Sequence, residues 1–148
     1  MFPGTAERVE HHTAASAARQ IQRELIASLA HYAAHPHRID RRLAELDKEW
    51  DIERTLEANA SAIALAGILL GARSDRRFLL LPAAVTGFLL QHAVQGWCPP
   101  LPFFRRLGVR TAAEIARERY ALKYLRGDFG TVPPEDDPVK AALEATRG

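Results

Sequence analysis

Residues 78–104 read FLLLPAAVTGFLLQHAVQGWCPPLPFF, and from Phe78 to Phe104 the chain carries no Asp, Glu, Lys or Arg. A helix needs about 20 residues to cross a hydrocarbon core roughly 30 Å thick, so this run is long enough to span a bilayer. Pro82 falls in the first turns, where a missing backbone donor does little harm, while Pro99, Pro100 and Pro102 stop the helix just after Trp97. Ahead of the run lies the turn Arg73-Ser74-Asp75-Arg76-Arg77, and ahead of the turn Thr55 to Ala72, in which Glu57 is the only charge. The charge-free part of that segment, Ala58 to Ala72, is short for a span on its own. The five-residue turn sets the two helices antiparallel and side by side, so both cross or neither does. The expected fold is therefore all-α: a transmembrane helical hairpin over 54–104, with helices at about 55–72 and 78–98, flanked by amphipathic helices.

Upstream, residues 13–53 form an amphipathic region. Ile21, Leu25, Leu29 and Tyr32 recur at helical spacing among charged and polar residues. Pro36 interrupts that helix, and Ile39, Leu43, Leu46 and Trp50 then step by four, three and four along one face of a second. No breaker separates this stretch from the apolar segment, which leaves one continuous helix open. Downstream, Thr111-Ala112-Ala113-Glu114 has the form of a capping box, in which hydroxyl and carboxylate each accept from the other residue's amide. It predicts a helix from Ala112 to about Arg126 within 105–127, with Ile115, Leu122 and Leu125 on its apolar face and Gly127 as its stop. Residues 1–12 read as a flexible start. Residues 128–148 read as a disordered tail rich in Pro and acid, with at most a transient turn of helix over Val139 to Thr146.

Composition excludes several classes of function. The 148 residues leave room for one compact unit or a few helices, not two enzyme domains. A formal charge of +2 argues against a dedicated nucleic-acid surface. Cys98 is the only cysteine, so no intramolecular disulfide and no multi-cysteine metal site exists. The amino terminus lacks the basic start and apolar core of a cleavable signal, which makes an internal segment the insertion signal.

Within the hairpin, small residues mark the expected contact. Ala60, Ala64, Gly67 and Gly71 share a face of the first helix, and Gly67 with Gly71 forms a G-x-x-x-G pattern. On the second, Ala83, Gly87, Gln91 and Gln95 share a face. Such grooves let backbones approach in lipid, either inside the hairpin or at a seam between copies of the chain. Counting outward from Asp75, Asn59 and Gln91 are equally distant, so Glu57, Asn59 and Ser61 come level with Gln91, His92 and Gln95. Polar groups in lipid are costly unless paired, which predicts hydrogen bonds between the helices, with Glu57 to His92 as one candidate. The basic residues flanking the hairpin outnumber Arg73, Arg76 and Arg77 in its turn. By the positive-inside tendency both termini then face the cytoplasm, although the dense turn opposes this.

Gly96-Trp97-Cys98-Pro99 closing an apolar hairpin, followed by a bulky apolar segment and Leu107-Gly108-Val109, resembles the YgaP-like transmembrane domain over roughly 53–111. The resemblance implies a bacterial inner-membrane hairpin. In that family the hairpin often accompanies a cytoplasmic rhodanese domain carrying sulfane sulfur, for which this chain has no room. A further cysteine commonly follows the Leu-Gly in that family, where Arg110-Thr111 stands here, so the resemblance extends to architecture and not to activity.

The leading functional reading is a membrane anchor or scaffold with no catalytic site and no cofactor. It would self-associate, or dock a cytoplasmic protein through an amphipathic face drawn from Ile21, Leu25, Leu43, Leu46 and Trp50. A second is sulfur or redox handling by Cys98 as a reactive thiol, aided by Arg105 and Arg106. It is opposed by the partial negative charge of a helix C-terminus. A third is metal binding by His31, His35 and His37, which Pro36 disfavours by ending the helix, so that no metal site is expected. In a competing fold, the hairpin is the core of a soluble bundle sheathed by the amphipathic helices.

Overall fold

The computed structural model describes residues 9, 11–130 and 138–146. Among these there are seven α-helices and no strand: α1 (Ala15–Ala34), α2 (Ile39–Leu46), α3 (Ile52–Arg73), α4 (Leu80–Gln95), α5 (Leu101–Arg106), α6 (Ala112–Arg126) and α7 (Pro138–Ala145). They fall into two compact units. One comprises Trp50–Thr111 with the residues up to Ala15, the other Ser16–Glu49 with the chain from Ala112 onward.

The second unit is a set of helices packed around a buried apolar core. Leu25 and Leu29 of α1 meet Ile39, Leu43 and Leu46 of α2, Ile115 and Leu122 of α6, and Ala142 of α7. Heptad-like steps of three and four put these side chains on one face of each helix, and burying the faces together is what makes such short helices stable. α2 ends at Leu46 and is not continuous with α3. The sequence signal for the break is Asp51, whose carboxylate accepts from the amide of Arg54 at 2.7 Å and caps a new helix. α6 spans Ala112–Arg126, and Gly127 follows it with φ 88°. The expected tail is a helix for part of its length, because Val139, Ala142 and Leu143 pack on the core and supply the apolar face that its acidic, proline-rich start conceals. Residues 131–137 and 147–148 of that tail lie outside the described residues.

The first unit holds the two apolar helices. α3 is 22 residues long, and α4 with the 3-10 turn Arg76–Leu79 ahead of it makes 20, so both have membrane-crossing length. Asp75 caps the turn by accepting from the amide of Arg77 at 2.8 Å. α4 stops at Gln95, short of Cys98, because Gly96 takes a left-handed conformation (φ 72°) and returns its amide to the His92 carbonyl at 2.7 Å. The prolines after it do not give a plain loop: α5 starts directly after Pro100, with Pro102 in its first turn, where a missing donor costs nothing. A small core of Val9, Ile52, Leu56, Cys98 and Leu101 closes this end, with Trp97, Phe104 and Val109 packed on it. Of the expected flexible start, residues 1–8 and 10 lie outside the described residues, while Val9 is fully buried and accepts from the Thr13 hydroxyl at 2.8 Å.

Candidate functional site

Cys98 sits just beyond the end of α4. Its carbonyl accepts from the Leu101 amide at 3.1 Å, and its side chain is buried among Ile52, Leu56 and Leu101. Burial pushes the thiol above its ordinary value, and a hydrogen bond to the Leu101 backbone offsets this only in part. Arg105, expected beside the thiol as an activating charge, is engaged elsewhere: its Nε donates to the Thr13 hydroxyl at 3.0 Å and a terminal nitrogen to the Val109 carbonyl at 2.9 Å. Arg106 is exposed. Burial and a raised thiol value both favour the protonated form, which is the less nucleophilic one.

The polar cluster is distributed differently from the expectation. Glu57, Asn59, Ser61 and Gln95 are exposed, Gln91 is half-buried and His92 is buried. Asn59 donates its side-chain amide to the Thr55 carbonyl at 2.8 Å, Thr55 its hydroxyl to the Asp51 carbonyl at 2.8 Å, and Thr86 its hydroxyl to the Pro82 carbonyl at 2.7 Å. Among the described residues no hydrogen bond joins Glu57 to His92. For Asn59, Thr55 and Thr86 the physical reason is reach: a short polar side chain in a helix finds the carbonyl four residues back before it finds another helix.

Contact between α3 and α4 uses one of the two small-residue faces. Gly67 and Gly71 are buried, with Ala60 and Ala64 half-buried on the same side. A Cβ added at Gly67 would lie 2.6 Å from Cδ of the rigid Pro82 ring, and one at Gly71 2.6 Å from a methyl of Leu79, so glycine lets both contacts close without displacing a neighbour. Ala83 and Gly87 are exposed instead, and a Cβ at Gly87 meets nothing within 4 Å. The inward face of α4 is Pro82, Val85, Leu89 and His92, whose spacing of three, four and three is as regular as the small stripe that hid it. Between these helices and the segment after Cys98 lies a cavity of about 290 Å³ with almost wholly apolar walls.

In the other unit, His31 and His35 stack with ring centroids 4.6 Å apart, His35 Nδ1 lies 2.9 Å from the His31 carbonyl oxygen, and the His37 ring is 6.2 Å from that of His35. Among the described residues no set of three His, Cys, Asp or Glu side chains converges as metal ligands. The face expected to dock a partner is largely spent: Ile21, Leu25, Leu43 and Leu46 are buried, and only Trp50 is exposed. Its most distinctive feature was not read from the sequence. Glu118 is fully buried and accepts from Arg42 at 2.9 and 3.1 Å, one bond to each carboxylate oxygen, and from the Ser28 hydroxyl at 2.7 Å, tying α6 to α2 and α1. The available signal was a carboxylate standing between Ile115 and Leu122 in an apolar stripe.

Compared with known proteins, the chain matches no protein family, no curated protein and no solved structure.

Proposed function

We propose that this is a small membrane protein whose helices α3 and α4 cross the bilayer as an antiparallel hairpin and tether a compact helical unit to its cytoplasmic side, serving as an anchor or scaffold and not as an enzyme. One observation carries the reading. The large apolar side chains of both helices face outward, Leu65, Leu80 and Leu90 among them at 57%, 72% and 67% exposure. Monomeric soluble proteins rarely leave apolar patches of more than a few hundred Å² uncovered, and a bundle core would be buried. Hydrocarbon is the surrounding in which such a surface costs nothing.

Three features support the same reading. Exposed Trp50 and half-buried Trp97 flank the start of α3 and the end of α4, where the hairpin meets one interface, and the Arg54 guanidinium lies 4.4 Å from the Trp50 ring centroid. Tryptophan and arginine at span ends are interfacial anchors. The charged turn Arg73-Ser74-Asp75-Arg76-Arg77 stands at the opposite end. Asn59 and Thr86 spend their donors on their own helices, as lipid demands. The inner-membrane address, the YgaP-like kinship of Gly96 to Pro99 with Leu107 to Val109, and the cytoplasmic placement of both termini belong to this proposal. So does self-association, for which the outward small residues Ala83 and Gly87 offer a seam between copies.

Membrane fractionation with an alkaline carbonate wash tests the reading. The expected result is a chain that stays in the pellet through the wash and leaves it only with detergent; release by carbonate alone contradicts the hairpin.

A further inference from the structure

The cavity of about 290 Å³ in the first unit lies between α3, α4 and the turn after Cys98, with Leu56, Ala60, Ile63, Val85, Leu89 and Phe104 among its walls. Its polar lining is nearly nil. Asn59 reaches it but donates its amide to the Thr55 carbonyl, and the thiol of Cys98 belongs to the packed apolar core. An occupant therefore finds few hydrogen-bonding partners, Asn59 and the thiol being the only polar side chains among these lining residues. A half-open apolar pocket of this kind favours hydrocarbon over water, and its volume sits just under the roughly 300–1,000 Å³ of ligand pockets. Ile63 and Phe88 line the cavity and are themselves exposed, so it opens on the outward surface of the two helices.

The geometry points to a binding site for one acyl chain of a bilayer phospholipid, which lies in the opening between Ile63 and Phe88 and packs against Cys98 and Phe104. This rests on the membrane reading, which makes that outward surface the one bathed in acyl chains. The site holds a lipid by its tail alone, so it discriminates chains by length and stiffness and not by headgroup. It also accounts for the composition of the walls: Ala60 leaves the space that a larger residue at that helix position would fill, and Pro99 and Pro100 add apolar rings to the wall without a backbone donor.

The test uses the full chain in vesicles of phosphatidylethanolamine and phosphatidylglycerol with a trace of phospholipid bearing a diazirine at the end of one acyl chain. After illumination, adducts are mapped by mass spectrometry. Wall residues Ala60, Val85 and Leu89 are expected to be labelled several-fold more than outward-facing Leu65, Leu69 and Leu90. Ala60→Trp and Val85→Phe, which fill the cavity from opposite walls, are each expected to bring wall labelling down to the outward level while the carbonate-resistant fraction is unchanged. Equal labelling of walls and outward residues overturns the site, and so does wall labelling that survives both variants. Cross-links between two copies through Phe88 in place of lipid adducts give the cavity to a second chain and also overturn it. A chain with no adducts anywhere, and lost from the pellet, refutes the membrane reading itself.

Discussion

The two units follow opposite rules for large apolar side chains. Leu29, Ile39 and Leu122 of the second are at most 1% exposed, whereas Leu65, Leu80 and Leu90 of the first point outward. The second unit hides its leucines even at the cost of a buried Glu118, which it must neutralise with Arg42. The first keeps nearly all of its charge at helix ends. The second unit follows the rule that water imposes, which forces apolar faces together; under the proposed function the first faces a medium that rewards only close packing and satisfied backbone.

Breaking the polar node gives the largest expected effect. Arg42→Ala takes the cation from a fully buried carboxylate and should lower the stability of the second unit by about 3–5 kcal/mol. Amide hydrogen exchange in α6 of the full chain reads this as a loss of protection, and a loss below about 1 kcal/mol, the worth of a surface pair, would show that the node is not buried in solution. Leu65→Arg probes the other rule. In water an exposed leucine tolerates arginine within about 0.5 kcal/mol. At the centre of a span the same change costs about 2.5–3.5 kcal/mol, so a marked drop in the carbonate-resistant fraction is expected, and an unchanged one contradicts the comparison.

Glycines sharpen it further. Gly67→Ala meets Pro82 and should cost about 1–3 kcal/mol through overpacking. Gly87→Ala meets nothing and should be neutral, or stabilising by up to about 1 kcal/mol. Unfolding in detergent micelles separates the two, and equal effects would remove Gly67 from the helix contact. The smallest effect is at Cys98. With the folded thiol raised by burial, less thiolate is present at any given pH, so its alkylation in the folded chain should reach half its limiting rate at a higher pH than in the denatured chain. The unfolded chain ionises first, so the neutral thiol's contribution to stability is intact below the ordinary thiol value and lost as pH rises through the raised one. A midpoint at or below the ordinary value would favour the redox reading.

Helices were legible wherever a single stretch carried its own signal. The apolar run from Phe78, the turn at Asp75, the start at Ala112 and the stop at Gly127 all lie in a few adjacent residues, and the structure has elements there. What escaped was decided by partners distant in sequence. The α4 face that meets α3 offered two equally regular stripes, and the contacts of Gly67 with Pro82, not composition, chose between them. Glu118 reads as a solvated charge until Arg42 and Ser28, far away in the chain, are placed beside it. α7 looked like tail because its apolar face is short and gains meaning only against a core that the local sequence does not show. The break before α3 was legible in principle, since Asp51 is a capping residue ahead of an apolar run.

The membrane proposal requires hydrocarbon as the solvent for α3 and α4. Sedimentation velocity of the intact chain, first in detergent micelles and then after detergent removal, measures this most directly. A single helical species in micelles that aggregates once detergent is gone is the predicted result; a monodisperse, fully helical chain in plain buffer would contradict it.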